Sequence, residues 1–264
     1  MKLLRSIPNF LQEGKMALIQ MAEYIESLGM EDLVSIVVPD HDFQNRVLYL
    51  LHGMMGDYSS YFREHDMERL ANEKGVLIVM PSVQNSIYTN MEHGGAFCDY
   101  VAKELPERME AVFCRRELPV MRYIAGCSMG GTGAMKIGFA YPGKYRAIGA
   151  VSSGAINFSE EECEKNPAFA TRWHWIFGDR EWRETIDDTF YMVRQAIEKG
   201  VSLPKLYHCG GKLDPYRSQF LRTRDYFAAL PEGSIDYFYD EGEGGHTEEF
   251  MFTHLQYFIH NYIS

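Results

Sequence analysis

The chain has 264 residues, of which 46% are hydrophobic and 24% charged, and its formal net charge at pH 7 is −11. A chain of this length can bury a large core, and the composition is that of an ordinary globular protein. The acidic balance argues against a nucleic-acid partner, because phosphate binding needs a basic surface. Nothing points to a membrane either, since no run approaches the roughly 18 apolar residues of a spanning helix.

The five cysteines are scattered and show no C-x-x-C spacing. We interpret them as reduced thiols rather than as a disulfide framework or a zinc site, which favours a cytoplasmic location. The N-terminus has neither the apolar stretch nor the cleavage site of a secretory signal. Residues 1–15 are predicted to be an extension, and residues 16–264 to form a single domain.

Short apolar runs alternate with helix-compatible segments along the chain. Two strand-like runs come first and predict an antiparallel hairpin, at residues 17–25 and 33–39. Further strands are predicted at residues 46–51, 76–80, 122–125, 145–151, 205–209 and 235–239. Helices are predicted for a polar segment ending near residue 72 and at residues 98–113, 129–141, 184–199, 218–230 and 247–262. This alternation predicts the α/β class, with a mostly parallel sheet and helices on both faces.

A Gly-x-Ser-x-Gly pentapeptide, residues 126–130, lies between a strand-like and a helix-compatible run. A nucleophile elbow needs this context, because the turn exposes the serine Oγ and the following helix N-terminus stabilises a developing oxyanion. The residues two before and two after the serine must then be very small. In a chance match Ser128 would be a mere turn residue, but the flanking runs favour a nucleophile.

Two further strand ends carry the partners that a serine nucleophile needs. His246 lies in a glycine-rich loop between the last strand and the last helix, and we predict it to be the general base. Asp214 follows a strand and is the predicted acid that orients the imidazole. Asp179 is the rival acid, but it follows an irregular segment. The chain order Ser, Asp, His is that of α/β-hydrolases, and it predicts an α/β-hydrolase fold.

An oxyanion hole needs two backbone donors. We predict the N–H of Met129, directly after the nucleophile, as the first donor. The second is the N–H of Met54, in the glycine-rich turn that follows the strand at 46–51. His52, in the same turn, is interpreted as structural, since His246 fills the role of the base better.

Two irregular segments are candidates for the substrate site. The loop at residues 82–97 is long, and such loops in compact domains are more often functional than idle. Residues 154–183 predict either a small cap over the site or an ordinary excursion whose tryptophans pack, and both interpretations stay open. Four side chains of these segments are predicted to contact the substrate, namely Tyr88, His93, Trp173 and Trp175.

Four motifs together resemble those of the esterase D-like family, especially the bacterial tributyrin-type esterases, and more distantly S-formylglutathione hydrolases and feruloyl or acetylxylan esterases. They are LYLLHGMMGD at 48–57, GCSMGG at 126–131, CGGKLD at 209–214 and GGHTEEF at 244–250. The resemblance extends from about residue 16 to the C-terminus. It implies a serine carboxylesterase that hydrolyses short-chain acyl esters without a cofactor.

The sequence contains no H-E-x-x-H pair, no P-loop and no G-x-G-x-x-G turn after its first strand. We therefore predict no cofactor and no metal ion, and a small-molecule ester as the partner. A homo-oligomeric state is compatible with the sequence. Other enzymatic functions stay open: a feruloyl or acetylxylan-type esterase acting on plant polysaccharide fragments, a thioesterase like S-formylglutathione hydrolase, or an acyltransferase. Outside the enzymes, the alternative is a non-catalytic binding protein with the same fold.

Overall fold

The computed structural model describes residues 17–156 and 167–264, with side chains from residue 170 onward in the second range. The predicted extension at 1–15 lies outside the described residues, as do residues 157–166 of the predicted cap. Among the described residues, no helix is long and apolar enough to cross a membrane.

An eight-stranded sheet forms the centre of the described structure, with the strand order β1-β2-β4-β3-β5-β6-β7-β8. The strands are β1 (Ala17–Ile25), β2 (Met30–Val38), β3 (Arg46–Leu51), β4 (Leu77–Pro81), β5 (Met121–Cys127), β6 (Ala147–Val151), β7 (Lys205–Gly211) and β8 (Tyr237–Gly242). β2 pairs antiparallel with both β1 and β4, and every other neighbouring pair is parallel. The predicted α/β class, with an antiparallel start and a parallel remainder, is confirmed.

Helices cover both faces of this sheet. They are α1 (Met67–Lys74), α2 (Leu105–Phe113), α3 (Met129–Ala140), α4 (Pro167–Phe177), α5 (Thr189–Glu198), α6 (Arg217–Ala228) and α7 (Glu248–Tyr262).

The position of β3 in the middle of the sheet explains why the sequence of this strand is continuously apolar. Val47, Tyr49 and Leu51 pack in the core with α2, α3, α5 and α6, whereas Leu48 and Leu50 pack in the core with α1 and α7. Both faces of a parallel strand are buried, so alternation of polar and apolar residues is lost.

The helix predicted at 98–113 is present, but it is not uniform. A helical turn (Phe97–Asp99) and a π-helical segment (Tyr100–Glu104) lead directly into α2. Pro106 stands in the first turn of α2 and has no N–H to donate to the carbonyl of Ala102 four residues earlier. The Lys144 ammonium donates to that carbonyl instead, at 3.1 Å. The Ala102 carbonyl in the π-helical turn therefore has a hydrogen-bond donor, although Pro106 supplies none.

One prediction of irregular structure was wrong. The segment 154–183 contains helix α4 in its described part. The helix ends at Gly178, whose φ of 57° is left-handed and whose N–H bonds the His174 carbonyl at 2.7 Å. A glycine in this conformation is a common way to end a helix. Helix α4 was not predicted from the sequence because its tryptophans and phenylalanines show no clear amphipathic period.

Five segments gather at one edge of the sheet, since parallel strands place their carboxyl ends together. They are the turn after β3, the segment after β4, the turn after β5, and the loops after β7 and β8. Ser128, Asp214, His246 and the two predicted oxyanion donors lie on these segments, whereas Trp173 and Trp175 lie on the connection after β6.

Candidate active site

Ser128 lies in the turn between β5 and α3, with a φ of 55° and a ψ of −123°. This backbone conformation is rare for a residue with a side chain and is typical of strained functional turns. A Cβ on Gly126 would lie 2.5 Å from the carbonyl carbon of Gly130. A Cβ on Gly130 would lie 2.0 Å from the Leu51 oxygen. The turn therefore excludes larger residues at both positions, as the sequence predicts.

Backbone hydrogen bonds hold the nucleophile turn in place. The Ser128 N–H donates to the Val151 carbonyl on β6 at 2.8 Å, and the Ser128 carbonyl accepts the N–H of Gly131 at 3.0 Å. The neighbouring thiol is not a rival nucleophile. Burial raises the pKa of Cys127 to about 12, so the thiol stays protonated near neutral pH.

The loops after β7 and β8 meet through a backbone bond from the Leu213 N–H to the Gly244 carbonyl at 2.8 Å. This contact brings Asp214 beside His246, and the distance from Asp214 Oδ2 to His246 Nδ1 is 2.7 Å. The other carboxylate oxygen, Oδ1, accepts the Tyr216 N–H at 2.9 Å. The Asp214 side chain is fully buried, so hydrogen bonds within the protein, and not contacts with solvent, orient both of its carboxylate oxygens.

His246 connects this carboxylate to the serine. Its Nε2 lies 2.9 Å from Ser128 Oγ. A carboxylate can only accept, so Nδ1 carries the proton and Nε2 offers a lone pair to the serine hydroxyl. The ring of Tyr216 meets the imidazole edge-on, with 5.1 Å between the centroids. The structure thus brings the three predicted residues Ser128, His246 and Asp214 into one hydrogen-bonded chain.

The turn after β3 lies against the serine. A Cβ placed on Gly53 would be 3.7 Å from Ser128 Cβ and 3.5 Å from the Cys127 oxygen. Gly53, the residue directly before Met54, is therefore packed against the nucleophile turn. Met129 is the first residue of α3, where an amide has no acceptor within its own helix. Both positions are compatible with the predicted oxyanion donors, whose role stays a prediction.

His52 is buried, with 1% of its surface exposed. Its Nδ1 donates to the Gly53 carbonyl at 2.7 Å, and its Nε2 accepts the Val83 N–H at 3.1 Å. A carbonyl can only accept and an amide N–H can only donate, so these partners require a neutral ring with its proton on Nδ1. Burial lowers the pKa of His52 below its ordinary value, although the bond to Gly53 acts in the opposite direction.

The side chain of Tyr88 is fully buried, which excludes the substrate contact that we predicted for it. Its hydroxyl donates to the His52 carbonyl at 2.9 Å. Its ring lies against α3, where a Cβ on Gly133 would approach it within 2.3 Å. Tyr88 therefore supports the turn after β3 from inside the protein. An aromatic residue in a long loop does not by itself distinguish these two roles.

The loop at 82–97 and helix α4 are bonded to each other, and we call them, together with residues 178–188, the side wall. The Glu92 N–H donates to the Ile176 carbonyl at 2.8 Å, and the His93 N–H to the Trp175 carbonyl at 3.0 Å. These bonds satisfy carbonyls at the end of α4 that the helix itself leaves open.

The remaining predicted substrate contacts, His93, Trp173 and Trp175, lie on this wall. Trp175 is 56% exposed. Trp173 is half-buried, with its ring centroid 4.4 Å from that of Phe177 and 5.8 Å from that of Trp182. Packing against other aromatic rings thus buries part of the Trp173 side chain, whereas Trp175 stays more than half exposed. A contact of these three side chains with substrate stays a prediction.

Sequence reasoning missed the groups that fasten the wall. Lys136 is fully buried on α3 and donates to Thr89 Oγ1 and, at 3.0 Å, to Asp187 Oδ1. Arg180 reaches the other oxygen of Asp187 at 3.1 Å. Burial alone would raise the pKa of Asp187, but the two cations hold it below its ordinary value. The signal in the sequence that could have revealed this buried ion pair was Lys136 itself, a charged residue within the otherwise apolar sequence of α3.

One cation of the wall touches the site directly. The guanidinium of Arg172, on α4, contacts the sulfur of Met54. Among the described residues, Arg172 has no carboxylate partner within ion-pair distance. In the same part of the chain, no group of three or more His, Cys, Asp or Glu side chains could hold a metal ion.

Comparisons with known proteins identify the family to which the chain belongs. The family model "Putative esterase" matches residues 25–262. An acetyl esterase from Caldicellulosiruptor saccharolyticus is 30% identical over 252 residues, which cover 89% of this chain and 94% of that protein.

Solved structures are similar over nearly the whole chain. FphF, a fluorophosphonate-binding serine hydrolase of Staphylococcus aureus, is 25% identical with a TM-score of 0.81, covering 94% of this chain and 99% of its own. The S-formylglutathione hydrolase FrmB of Staphylococcus aureus is 24% identical with a TM-score of 0.76, covering 95% and 100%. The similarity to FrmB is a similarity of fold alone. The resemblance found in the sequence motifs is thereby confirmed: the chain belongs to this esterase family, has the α/β-hydrolase fold and is a carboxylic-ester hydrolase.

Proposed function

We propose that the protein hydrolyses short-chain acyl esters through an acyl-enzyme formed on Ser128. The observation that carries this proposal is the continuous chain of hydrogen bonds from Asp214 through His246 to Ser128 Oγ, with distances of 2.7 and 2.9 Å. A serine hydroxyl is a poor nucleophile near neutral pH unless a base lies within hydrogen-bond reach. The name of the acetyl esterase relative supports a short acyl group.

In the first half-reaction, Ser128 Oγ attacks the ester carbonyl while its proton moves to His246 Nε2. The bond from the carbonyl carbon to the alkoxy oxygen then breaks, and His246 returns the proton to the leaving alcohol. In the second half-reaction a water molecule attacks the acyl-enzyme, His246 takes its proton, and the acid leaves as Ser128 regains its hydrogen.

The electrostatics of these steps depend on two fixed partners. Asp214 stabilises the imidazolium that forms when His246 is protonated, and it holds the ring in the tautomer that can accept a proton. The N–H groups of Met54 and Met129 would donate to the oxygen that becomes negative in the tetrahedral intermediate. Backbone donors suit this role because they are already oriented before the reaction begins.

The test is the substitution Ser128→Ala, assayed with p-nitrophenyl acetate and p-nitrophenyl butyrate. We expect kcat to fall on the order of 10⁶-fold, since the nucleophile and its base act as a unit. The matched control is Ser202→Ala, on the exposed connection before β7, which should leave kcat unchanged. A labelled fluorophosphonate should modify Ser128 in the unaltered protein. Near-full activity of Ser128→Ala would refute the proposal.

A panel of acetyl, butyryl, feruloyl and glutathione thioester substrates distinguishes the alternatives. The proposal expects the highest kcat/KM with acetyl or butyryl esters. Preference for feruloyl esters would instead indicate an enzyme acting on plant polysaccharide fragments. Preference for the thioester would indicate a hydrolase of the S-formylglutathione type.

A further inference from the structure

Two donors fix the carbonyl of Gly53. The His52 Nδ1–H reaches its oxygen at 2.7 Å, and the Gly56 N–H reaches it at 3.1 Å. This carbonyl and the N–H of Met54 belong to the same peptide group. The described residues contain no cis peptide bond, so the two groups point in opposite directions. Whatever holds the Gly53 carbonyl therefore decides where the Met54 N–H points.

His52 is itself held from the loop at 82–97. The Val83 N–H donates to its Nε2 at 3.1 Å, and the Tyr88 hydroxyl donates to its carbonyl at 2.9 Å. One peptide further along, the Met55 N–H donates to Asn85 Oδ1 at 2.7 Å. The ring cannot turn without breaking the bond to Val83. It cannot shuttle protons to a substrate either, because it is buried and both of its nitrogens are occupied.

From these contacts we propose that His52 is the positioning residue of the oxyanion hole. By holding the Gly53 carbonyl through Nδ1–H, it aims the Met54 N–H at the oxygen that becomes negative on the substrate. The inference rests on the proposed function, in which Met54 donates to that oxygen. His52 acts through the backbone of its neighbours and touches no reacting atom.

Two substitutions test the roles of the two ring nitrogens of His52 separately. In His52→Gln the side-chain oxygen can occupy the place of Nε2 and accept the Val83 N–H, but no donor remains for the Gly53 carbonyl. In His52→Asn the side-chain nitrogen can occupy the place of Nδ1 and donate to that carbonyl. The matched control is His41→Gln, which makes the same exchange at an exposed histidine between β2 and β3.

We expect His52→Gln to lower kcat by roughly 10- to 100-fold, because removing an oxyanion donor outright costs about 10²- to 10³-fold. KM should change less than about 2-fold, since a ground-state carbonyl gains little from the donor. The inhibition constant of a trifluoromethyl ketone, whose hemiketal carries an oxyanion, should rise by the same factor as kcat falls. His52→Asn and His41→Gln should stay within about 5-fold of the unaltered protein in kcat.

An unchanged kcat in His52→Gln, or equal losses in all three variants, would overturn the inference. If His52→Gln fails to fold, ¹⁵N NMR of the unaltered protein still decides, because the inference requires Nδ1 protonated and Nε2 unprotonated in His52. The opposite tautomer would overturn it. Absence of ester hydrolysis in the unaltered protein would instead contradict the proposed function, so the two failures are distinguishable.

Discussion

The loops that carry Ser128, Asp214 and His246 differ from the side wall in how they are held in place. Each of these three residues follows a parallel strand within a few positions and is placed by short backbone turns. The wall is formed by the segments after β4 and β6. It is fastened by side chains that come from distant parts of the chain, above all by the buried pair of Lys136 and Asp187.

This difference separates two requirements of an enzyme. In the proposed reaction, the chemistry depends on strand ends, whose relative positions are set by the hydrogen bonding of the sheet itself. We expect the shape of the substrate space to depend on the side wall, whose attachment can change without altering the sheet. Changes in the triad should therefore reduce catalysis and leave stability alone, whereas changes at the wall's anchor should reduce stability first.

After Ser128→Ala, the largest effect is expected for Asp214→Asn. The Tyr216 N–H would hold the amide oxygen, as it now holds Asp214 Oδ1, and the amide NH₂ would then face His246. His246 would have to accept at Nδ1 and carry its proton on Nε2, where it cannot take the proton of Ser128. We expect kcat to fall on the order of 10⁴-fold, as measured with p-nitrophenyl acetate.

The control for this prediction is Asp179→Asn, at an exposed position next to α4. It removes the same charge and should leave both kcat and the urea midpoint unchanged. A comparable loss in the two variants would show that net charge, rather than the tautomer of His246, governs the rate. It would also return Asp179 to consideration as the acid.

A large loss of stability is expected for Lys136→Met. The substitution leaves Asp187, which is 2% exposed, with Arg180 as its one remaining cation among the described residues. Removing one member of a buried ion pair typically costs 3–5 kcal/mol. Because Arg180 remains, we expect a loss of about 3 kcal/mol in the free energy of unfolding, measured by urea denaturation.

Lys103→Met is the matched control. Lys103 pairs with Asp99 at 2.6 Å, but both side chains are more than a third exposed. An exposed pair of this kind contributes about 0–1 kcal/mol. If the two methionine variants lost equal stability, the side wall would depend no more on the buried pair than on an exposed one.

The smallest effect is expected for Arg172→Gln, which removes the cation that touches the Met54 sulfur. If the wall selects substrates, the KM for a p-nitrophenyl succinate monoester should rise by about 5-fold, equivalent to about 1 kcal/mol, and less at high salt. The KM for p-nitrophenyl butyrate, which carries no charge, should not change. Equal shifts for both esters would indicate a change of shape rather than of charge.

Much of the site could be predicted because its constraints are local. The Gly-x-Ser-x-Gly turn requires small residues wherever a strand enters a helix this tightly, and Gly126 and Gly130 meet that requirement directly. Asp214 and His246 each follow an apolar run in a short loop. Tyr88 could not be assigned correctly, because whether a loop aromatic faces inward depends on α3, some forty residues later in the chain.

The sequence by itself determined the class of fold, the three residues of the hydrogen-bonded chain and the family, since period, turn chemistry and motif spacing are properties of neighbouring residues. Only the tertiary structure decided that Lys136 and Asp187 are partners, that helix α4 lies in the side wall, and that His52 holds the Gly53 carbonyl. These facts depend on contacts between segments far apart in the chain. Their free energy comes from burial and hydrogen-bond geometry, which no local pattern of residues records.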